Sequence, residues 1–455
     1  MFMGTFSVVR ASDSKLEKIL SEIKDYKTNF SGFIGVTPDE IIFKSQENKA
    51  FIPASVTKVI TATVILSELG PATRLKTVLK GNTAGLDGDK LKGDLCLVGA
   101  GDPSFVSENM WVLVNNFTRT GIKQILGDLV IDDTLFDQVA FDESRLKNRV
   151  DRAYDAPVGA MSFNWNSINV YVRPTKLGST ATVLLDPATE YAKLDSSVIT
   201  SSKATEISVA QTTVGGIQKI KVKGNIHHKS EEKVYYIPIS NPALWSGYNL
   251  KAFLSQRGIE LLGSIKQGVC GNKANELAIS ESKPIEQMIK DMNKFSNNFV
   301  AEMLIKLLAS RNEKPASLQE GVRFIQNYLK KHGYNESEIK ITNPSGLTRD
   351  NWVTARALWR LLYEAYGNLA INAELVSSLP IAGLDGTLKN RLKDEAIQRR
   401  VRAKTGYING VVSLCGYYSN SQNKIVPFVF LYNGKDSESK VREVMDNAIL
   451  YLVRH

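Results

Sequence analysis

The stretch Phe51-Ile-Pro-Ala-Ser-Val-Thr-Lys-Val59 runs straight into the apolar segment Ile60 to Leu69 and stops at Gly70-Pro71. Pro53 and Ala54 lead into this nearly all-apolar run and a Gly-Pro stop ends it. The pattern predicts a buried helix with Ser55 in its first turn. Residues three apart share a helix face, which sets Lys58 one turn above Ser55 with its amine in reach of the hydroxyl. A serine hydroxyl is a weak nucleophile until a base takes its proton. A lysine serves as that base only where burial or another cation lowers its pKa. A nearly apolar helix supplies the burial. The plainer reading of Ser55 is a helix cap, a position serine favours.

Spacing alone does not single out Ser55. Ser-x-x-Lys recurs at Ser144/Lys147, Ser230/Lys233, Ser280/Lys283 and Ser437/Lys440, in charged stretches that read as solvated surface.

The chain has 455 residues and 43% hydrophobic content, enough to bury large cores in roughly two to four domains. Lys and Arg number 57 against 47 Asp and Glu, and the basic residues are spread along the chain rather than gathered into arms. That distribution speaks against a nucleic-acid partner. A basic protein would also associate with an anionic polymer such as a bacterial wall. Cys96, Cys270 and Cys415 are too few and too scattered for a disulfide framework, and none forms a Cys-x-x-Cys metal pair. His227-His228 lie in a Lys-rich stretch, His332 reads as the C-terminal charge of a helix, and His455 is terminal. None stands near a serine or carboxylate site, which argues against a Ser-His-Asp enzyme or a zinc hydrolase, and no metal or other cofactor is expected. No apolar run is long enough for a membrane span. Met1 to Arg10 carries only a short apolar patch, so either an export signal has been removed or the protein is cytoplasmic.

Along the chain, Ser14 to Tyr26 reads as a charged amphipathic helix, followed by strands at Gly32 to Val36 and Ile41 to Lys44. After Pro71 come short alternating runs with glycines, which read as a β-rich region extending to Ile239. A helical period returns at Pro242 to Gly258 and is strong from Pro284 to Ser310. Ser317 with Glu320 opens a helix ending near Gly333, and further helices are expected at Val353 to Tyr366 and Ile371 to Leu379. Strands are expected at Val401 to Ala403, Val411 to Tyr418 and Ile425 to Tyr432, before a closing helix from Glu438 to Arg454. Two strands at the beginning and three at the end, flanked by helices, suggest one antiparallel sheet built from both termini, with the β-rich middle inserted. The expected fold class is α/β (α+β).

Two further motifs carry chemistry. Ser296-Asn297-Asn298 falls inside the long helical segment, and Lys404-Thr405-Gly406, the chain's only Lys-Thr-Gly, sits at a strand edge. In that order, Ser-x-x-Lys, Ser-x-Asn and Lys-Thr-Gly form the active-site set of the penicillin-binding proteins and serine β-lactamases. Nearly the whole chain resembles the class C low-molecular-mass penicillin-binding proteins, the DacB-type D-Ala-D-Ala carboxypeptidases and endopeptidases. Members carry a large insertion between the first two motifs, and here residues 56–295 separate Ser55 from Ser296. Other typical stretches are Gly99-Ala-Gly-Asp-Pro103, Gly127 to Asp133, Tyr154-Asp-Ala-Pro157, Ser345-Gly-Leu347 with Asn351, and Gly383 to Thr387.

The resemblance implies a transpeptidase-like (β-lactamase-like) catalytic domain from 1–70 and 284–455. It implies an inserted second domain from 71–165 and 236–283, and a small β-rich third domain, 166–235, nested in the second. It implies an exported, periplasmic enzyme that acts on peptidoglycan stem peptides and is acylated by β-lactams. Carried over by position, Ser55 is the acylated nucleophile and Lys58 its base. Ser296 relays a proton to the leaving amine, and Asn298 holds Lys58 and the substrate amide. Lys404 and Thr405 face the terminal carboxylate, and Gly406 lets the strand edge approach it. The oxyanion hole falls to the N–H groups of Ser55 and Tyr407. The physical logic also stands without the family, since a second cation, Lys404, beside a buried lysine would depress that lysine's pKa.

The chain departs from this pattern at two places. Relatives usually carry Ser or Thr where Tyr407 stands, so the small hydroxyl that would help bind the carboxylate is missing. Arg149 falls where relatives tend to carry an acid that, with the counterpart of Tyr154, grips the stem peptide's third side chain. A dedicated acidic pocket is therefore not expected, and the implied enzyme is a permissive DD-endopeptidase that also trims pentapeptides. A β-lactamase and an antibiotic-sensing wall module with little turnover are the competing readings; the large insertion argues against the first and the complete motifs against the second.

Overall fold

The computed structural model describes residues 14–143, 156–395 and 397–455. The chain's two ends meet in one five-stranded antiparallel sheet, in the spatial order Ile41–Ser45, Phe30–Gly35, Ile425–Asn433, Val411–Ser419 and Val401–Ile408. Val411–Ser419 and Ile425–Asn433 are buried along nearly their whole length. Such two-sided burial is why they read as continuous apolar runs rather than as an alternation.

Period-two alternation divides these strands between two cores. Leu414, Phe428 and Phe430 face the closing helix Glu438–Arg454, where Met445 and Ile449 are fully buried. Cys415, Val429 and Leu431 face the helices that carry the candidate site. Each large apolar side chain so buried contributes about 1.5–3 kcal/mol relative to exposure. The helix Thr57–Leu69 lies inside the second of these cores, with Thr57 through Leu66 all buried.

Phe136, Ala156, Val158 and Ala160 pack into the core of the site helices, while apolar residues from Leu79 to Ala278 build a further core. One five-stranded sheet is mixed, with Leu129–Asp132 parallel to both Leu95–Val98 and Ile265–Gln267. The strands of 167–238 add their apolar faces to the same core. Trp245 joins the pieces, fully buried with its indole N–H donating 2.9 Å to the Phe163 carbonyl.

Four expectations need correction. The helix expected over 14–26 is shorter, Ser14–Leu20 followed by the single turn Tyr26–Asn29. Ser107–Thr118, inside the region read as β-rich, is a helix whose buried residues Met110, Leu113, Val114 and Phe117 follow a helical period. The segment from Pro284 to Ser310 is two helices, Ile285–Lys294 and Asn298–Ala309. Finally, Cys96 and Cys270 are joined in a disulfide with their Cα atoms 5.8 Å apart, while Cys415 is free and buried. The sheet brings the pair together: Cys96 lies in Leu95–Val98, and Cys270 follows Ile265–Gln267, two strands away across Leu129–Asp132.

This bond closes a loop of 174 residues, a large restriction on the unfolded chain. Cys96→Ser is expected to lower unfolding stability by about 2–4 kcal/mol. Denaturant unfolding checks it, and an unchanged midpoint would show that the bond does not restrain the unfolded state.

Candidate active site

The turn that carries Ser55 is held in a conformation the sequence does not advertise. Ala54–Val56 form a single 3₁₀ turn and the α-helix begins at Thr57, so Ser55 stands just before the helix rather than in its first α-turn. Ala54 has φ of 50°, in the left-handed region that residues with a Cβ avoid. Its carbonyl accepts from Thr57 Oγ1 at 2.8 Å, and Gly346 passes so close that a Cβ there would lie 2.1 Å from the same oxygen. Contacts of this kind are what hold a strained turn in place.

Lys58 is fully buried, so its amine must find partners inside the protein. It donates to Asn298 Oδ1 at 2.6 Å, to the Ser345 carbonyl at 2.5 Å and to Ser55 Oγ at 3.3 Å. The Ser345 carbonyl is fixed by a turn built around Asn351. Asn351 Oδ1 accepts from the N–H groups of Thr342 at 2.7 Å and Asn343 at 3.0 Å, and its Nδ2 donates to Thr57 Oγ1 at 3.2 Å.

Ser296 lies in the break between two helices, with φ of 55°, rather than inside one helix as expected. The reason is geometric. Residues two apart on a helix do not face the same way, so an unbroken helix would aim either Ser296 or Asn298 into the site. The break aims both, and Asn297 caps the second helix by accepting from Val300 N at 3.1 Å.

The third segment is the edge strand Val401–Ile408. Lys404 pairs with Cys415 and Thr405 with Leu414, so Lys404 shares the face turned to the site helices and Thr405 the face turned to the closing helix. Lys404 Nζ donates 2.9 Å to Ser296 Oγ and 2.7 Å to the Thr405 carbonyl. Complete burial pushes its pKa down from the usual lysine value to about 7. A Cβ on Gly406 would lie 2.7 Å from the Pro53 carbonyl and 3.2 Å from Ser55 N, so the bare backbone is what lets the strand lie against the Ser55 turn. Thr405 Oγ1 donates 2.8 Å to Thr387 Oγ1. Tyr407 is 41% exposed, under the guanidinium of Arg442 at 5.3 Å from the ring centre.

A profile of the D-Ala-D-Ala carboxypeptidase 3 (S13) family matches residues 12–453. The chain belongs to that family. A D-alanyl-D-alanine carboxypeptidase of Actinomadura sp. strain R39 is 28% identical over 410 residues, covering 87% of this chain and 76% of that protein. DacB of Haemophilus influenzae is 26% identical over 420 residues, 90% of this chain and 87% of the relative. The solved structure of penicillin-binding protein 4 (dacB) from H. influenzae superposes with a TM-score of 0.82 at 23% identity, over 97% of this chain and 99% of that one. The expected fold class holds, and the protein is a serine-type D-Ala-D-Ala carboxypeptidase of the S13 family.

In this S13 chain, Ser55, Ser296, Asn298, Thr405 and Tyr407 line one cleft of about 220 Å³. Lys58 and Lys404 lie buried beneath it, and Gly406 stands in its strand edge. Tyr154 and Arg149 fall outside the described residues. The reading from sequence missed four contributors: the Ser345 carbonyl, Thr387, Arg391 and Arg442, the last three lining the cleft directly. Ser345 and Thr387 stood in stretches quoted for the resemblance but drew no role. The two arginines sit among ordinary charged residues with no local signal.

Gly406→Ala forces the edge strand and the Ser55 turn apart. Misplacement by about 1 Å costs on the order of 10²-fold in rate, so acylation by a labelled penicillin is expected to slow by about that factor. Stopped-flow or gel readout of adduct formation checks it, and an unchanged rate would show that the turn relaxes around the methyl group.

Proposed function

We propose that Ser55 is acylated by the penultimate D-Ala carbonyl of peptidoglycan stem peptides. The enzyme then acts as a DD-carboxypeptidase on terminal D-Ala and as a DD-endopeptidase on D-Ala-diaminopimelate crosslinks. The observation that carries this reading is the pairing of two buried amines with two serines, Lys58 on Ser55 Oγ and Lys404 on Ser296 Oγ. Neutral Lys58 takes the Ser55 proton as Oγ attacks the carbonyl, and the Ser55 and Tyr407 N–H groups receive the developing oxyanion. As the tetrahedral intermediate collapses, the peptide C–N bond breaks and Ser296 relays to the leaving amine the proton that Lys58 took from Ser55, which returns Lys58 to its neutral form. Water, deprotonated by the same base, then hydrolyses the acyl ester and frees Ser55. Asn298 holds Lys58 and the substrate amide, while Lys404 and Thr405 face the terminal carboxylate across the edge opened by Gly406.

We also propose that the catalytic unit is 1–70 with 284–455, that 71–165 with 236–283 is inserted in it, and that 166–235 is nested in the insertion. The sheet built from both termini supports the first division. Periplasmic location is supported by the family and by the Cys96–Cys270 bond, since disulfides persist in oxidising compartments. Among the described residues no helix is long and apolar enough to cross a membrane. Peptidoglycan stem peptides are the proposed partner and β-lactams the proposed covalent inhibitors.

Digestion of purified peptidoglycan with product analysis tests the reading. Loss of both terminal D-Ala and crosslinks is expected, and amidating the diaminopimelate side chain should change rates only slightly. A labelled penicillin should modify Ser55 alone, as located by mass spectrometry. Lys58→Ala should slow acylation by roughly 10²- to 10⁴-fold, and Lys58→Arg should not rescue it, because arginine stays protonated. An adduct on another serine, or fast acylation by Lys58→Arg, would sink the assignment.

The lowered pKa of Lys404 sets a pH dependence with a definite sign. Below about pH 7 its amine carries the charge that a carboxylate needs, and above it the free enzyme's amine is neutral. KM for peptides with a free terminal carboxylate is therefore expected to rise with pH above about 7, while KM for neutral ester analogues stays flat. Lys404→Ala should remove that difference in slope. Parallel pH profiles for the two substrate types in the unaltered enzyme would remove Lys404 from carboxylate binding.

A further inference from the structure

The end of the cleft on the closing-helix side presents donors that no motif accounts for. Strand alternation places Thr405 and Tyr407 on one face, and Thr387, Arg391 and Arg442 complete that end of the cleft. An incoming carboxylate would find most of these groups committed. The Thr405 hydroxyl donates to Thr387, and Tyr407 presents a ring rather than a small hydroxyl. Arg391 is clamped to Asp446 by two bonds, at 3.1 Å from Nε and 2.7 Å from Nη2. Lys404 approaches from the other face.

Arg442 differs from these. Its ion-pair partner is Glu438, one turn earlier on the same helix, and both side chains reach solvent, at 39% and 29% exposed. Exposed pairs of this kind contribute little and are readily exchanged. The Tyr407 ring meanwhile holds the guanidinium at the cleft. Partial burial and, next, the neighbouring Arg391 both work against the charge on Arg442. A bound carboxylate would offset both. Guanidinium also matches carboxylate in a two-bond fork that a lysine does not offer.

We propose that Arg442, seated on the Tyr407 ring, binds the terminal carboxylate of the leaving D-amino acid, and that Tyr407 is its positioning residue. This rests on the DD-peptidase reading above and adds to it a residue that discriminates free carboxylate ends from blocked ones.

The test compares a D-Ala-D-Ala-terminated peptide with its C-terminal amide, by kcat/KM, in the unaltered enzyme, Arg442→Gln, Arg442→Lys and Tyr407→Leu. Arg442→Gln is expected to lower kcat/KM for the free peptide by roughly tenfold to a hundredfold, mostly through KM, the worth of one charge-assisted contact. The amide should change much less, because it carries no charge for the guanidinium to pair with. Arg442→Lys should recover part of the loss, and Tyr407→Leu should show a smaller loss of the same kind. Equal losses on both peptides would assign Arg442 a merely structural role and overturn the proposal, as would an unchanged preference for the free peptide. The parent reading is tested separately by labelled penicillin: an unaltered enzyme that forms no adduct at Ser55 overturns both. One that forms the adduct and prefers the free peptide, while Arg442→Gln keeps that preference, overturns Arg442 alone.

Discussion

The buried amine of Lys58 is the constraint on which the rest of the site depends. A fully buried lysine is tolerated only where its donors are met, and here they are met by a side chain 240 residues away, a carbonyl 287 residues away and the hydroxyl three residues before it. Leaving one buried polar group without its partner typically costs about 1–3 kcal/mol. The helix break at Ser296, the turn around Asn351 and the turn of Ser55 are thus tied to one atom. The contacts that satisfy this amine also set it against the Ser55 hydroxyl, so the folding of the core and the geometry of the site rest on the same bonds.

That convergence survives an insertion of more than two hundred residues because the chain leaves and returns at one place. Ser282 N donates 2.9 Å to the Leu75 carbonyl, while Leu75 N donates 2.8 Å to Ser282 Oγ. The N–H groups of Ile285 and Glu286 donate, each at 3.0 Å, to the carbonyls of Thr73 and Pro71. These bonds seat the start of the helix Ile285–Lys294 against the end of the helix Thr57–Leu69. Residues between 75 and 282 also brace the helix Asn298–Ala309 directly, for Asp137 pairs with Lys306 and the Ala316 N–H donates 2.9 Å to the Leu135 carbonyl. Loop closure also grows costly only slowly with length.

What was legible in the sequence follows from which signals are local. The terminal sheet and the closing helix could be read because their apolar periods are long and flanked by turns, as Ile425–Asn433 and Glu438–Arg454 show. The order of Ser55, Lys58, Ser296, Asn298 and Lys404 could be read because the motifs are contiguous. The break at Ser296 could not, because the apolar period runs through it from Met292 to Phe299 and only tertiary contacts, Lys404 on Ser296 and Lys58 on Asn298, require the interruption. The Cys96–Cys270 bond was hidden for the same reason, since nothing local marks two strands as neighbours across 174 residues. The helix Ser107–Thr118 did carry its own signal, but asparagines and β-branched residues weaken its propensity, and it lies in a stretch whose texture is β.

The edge strand Val401–Ile408 shows how one element can serve two tasks without compromise. It has one strand neighbour, its outer side is bonded to residues 380–382 over Val401 to Ala403, and its two faces meet different surroundings. Lys404 and Gly406 face the Ser55 turn, where Lys404 is fully buried and bonded to Ser296 and Gly406 lies against the backbone. Thr405 and Tyr407 face the opposite way, toward Thr387 and Arg442, where solvent reaches and exposed charges can exchange partners. Because the side-chain period of a strand is two, a substitution at 405 or 407 acts on recognition while leaving the packing of 404 and 406 in place. The bulky Tyr407 is tolerated for this reason: it follows Gly406 directly, yet it meets the closing helix rather than the crowded turn of Ser55.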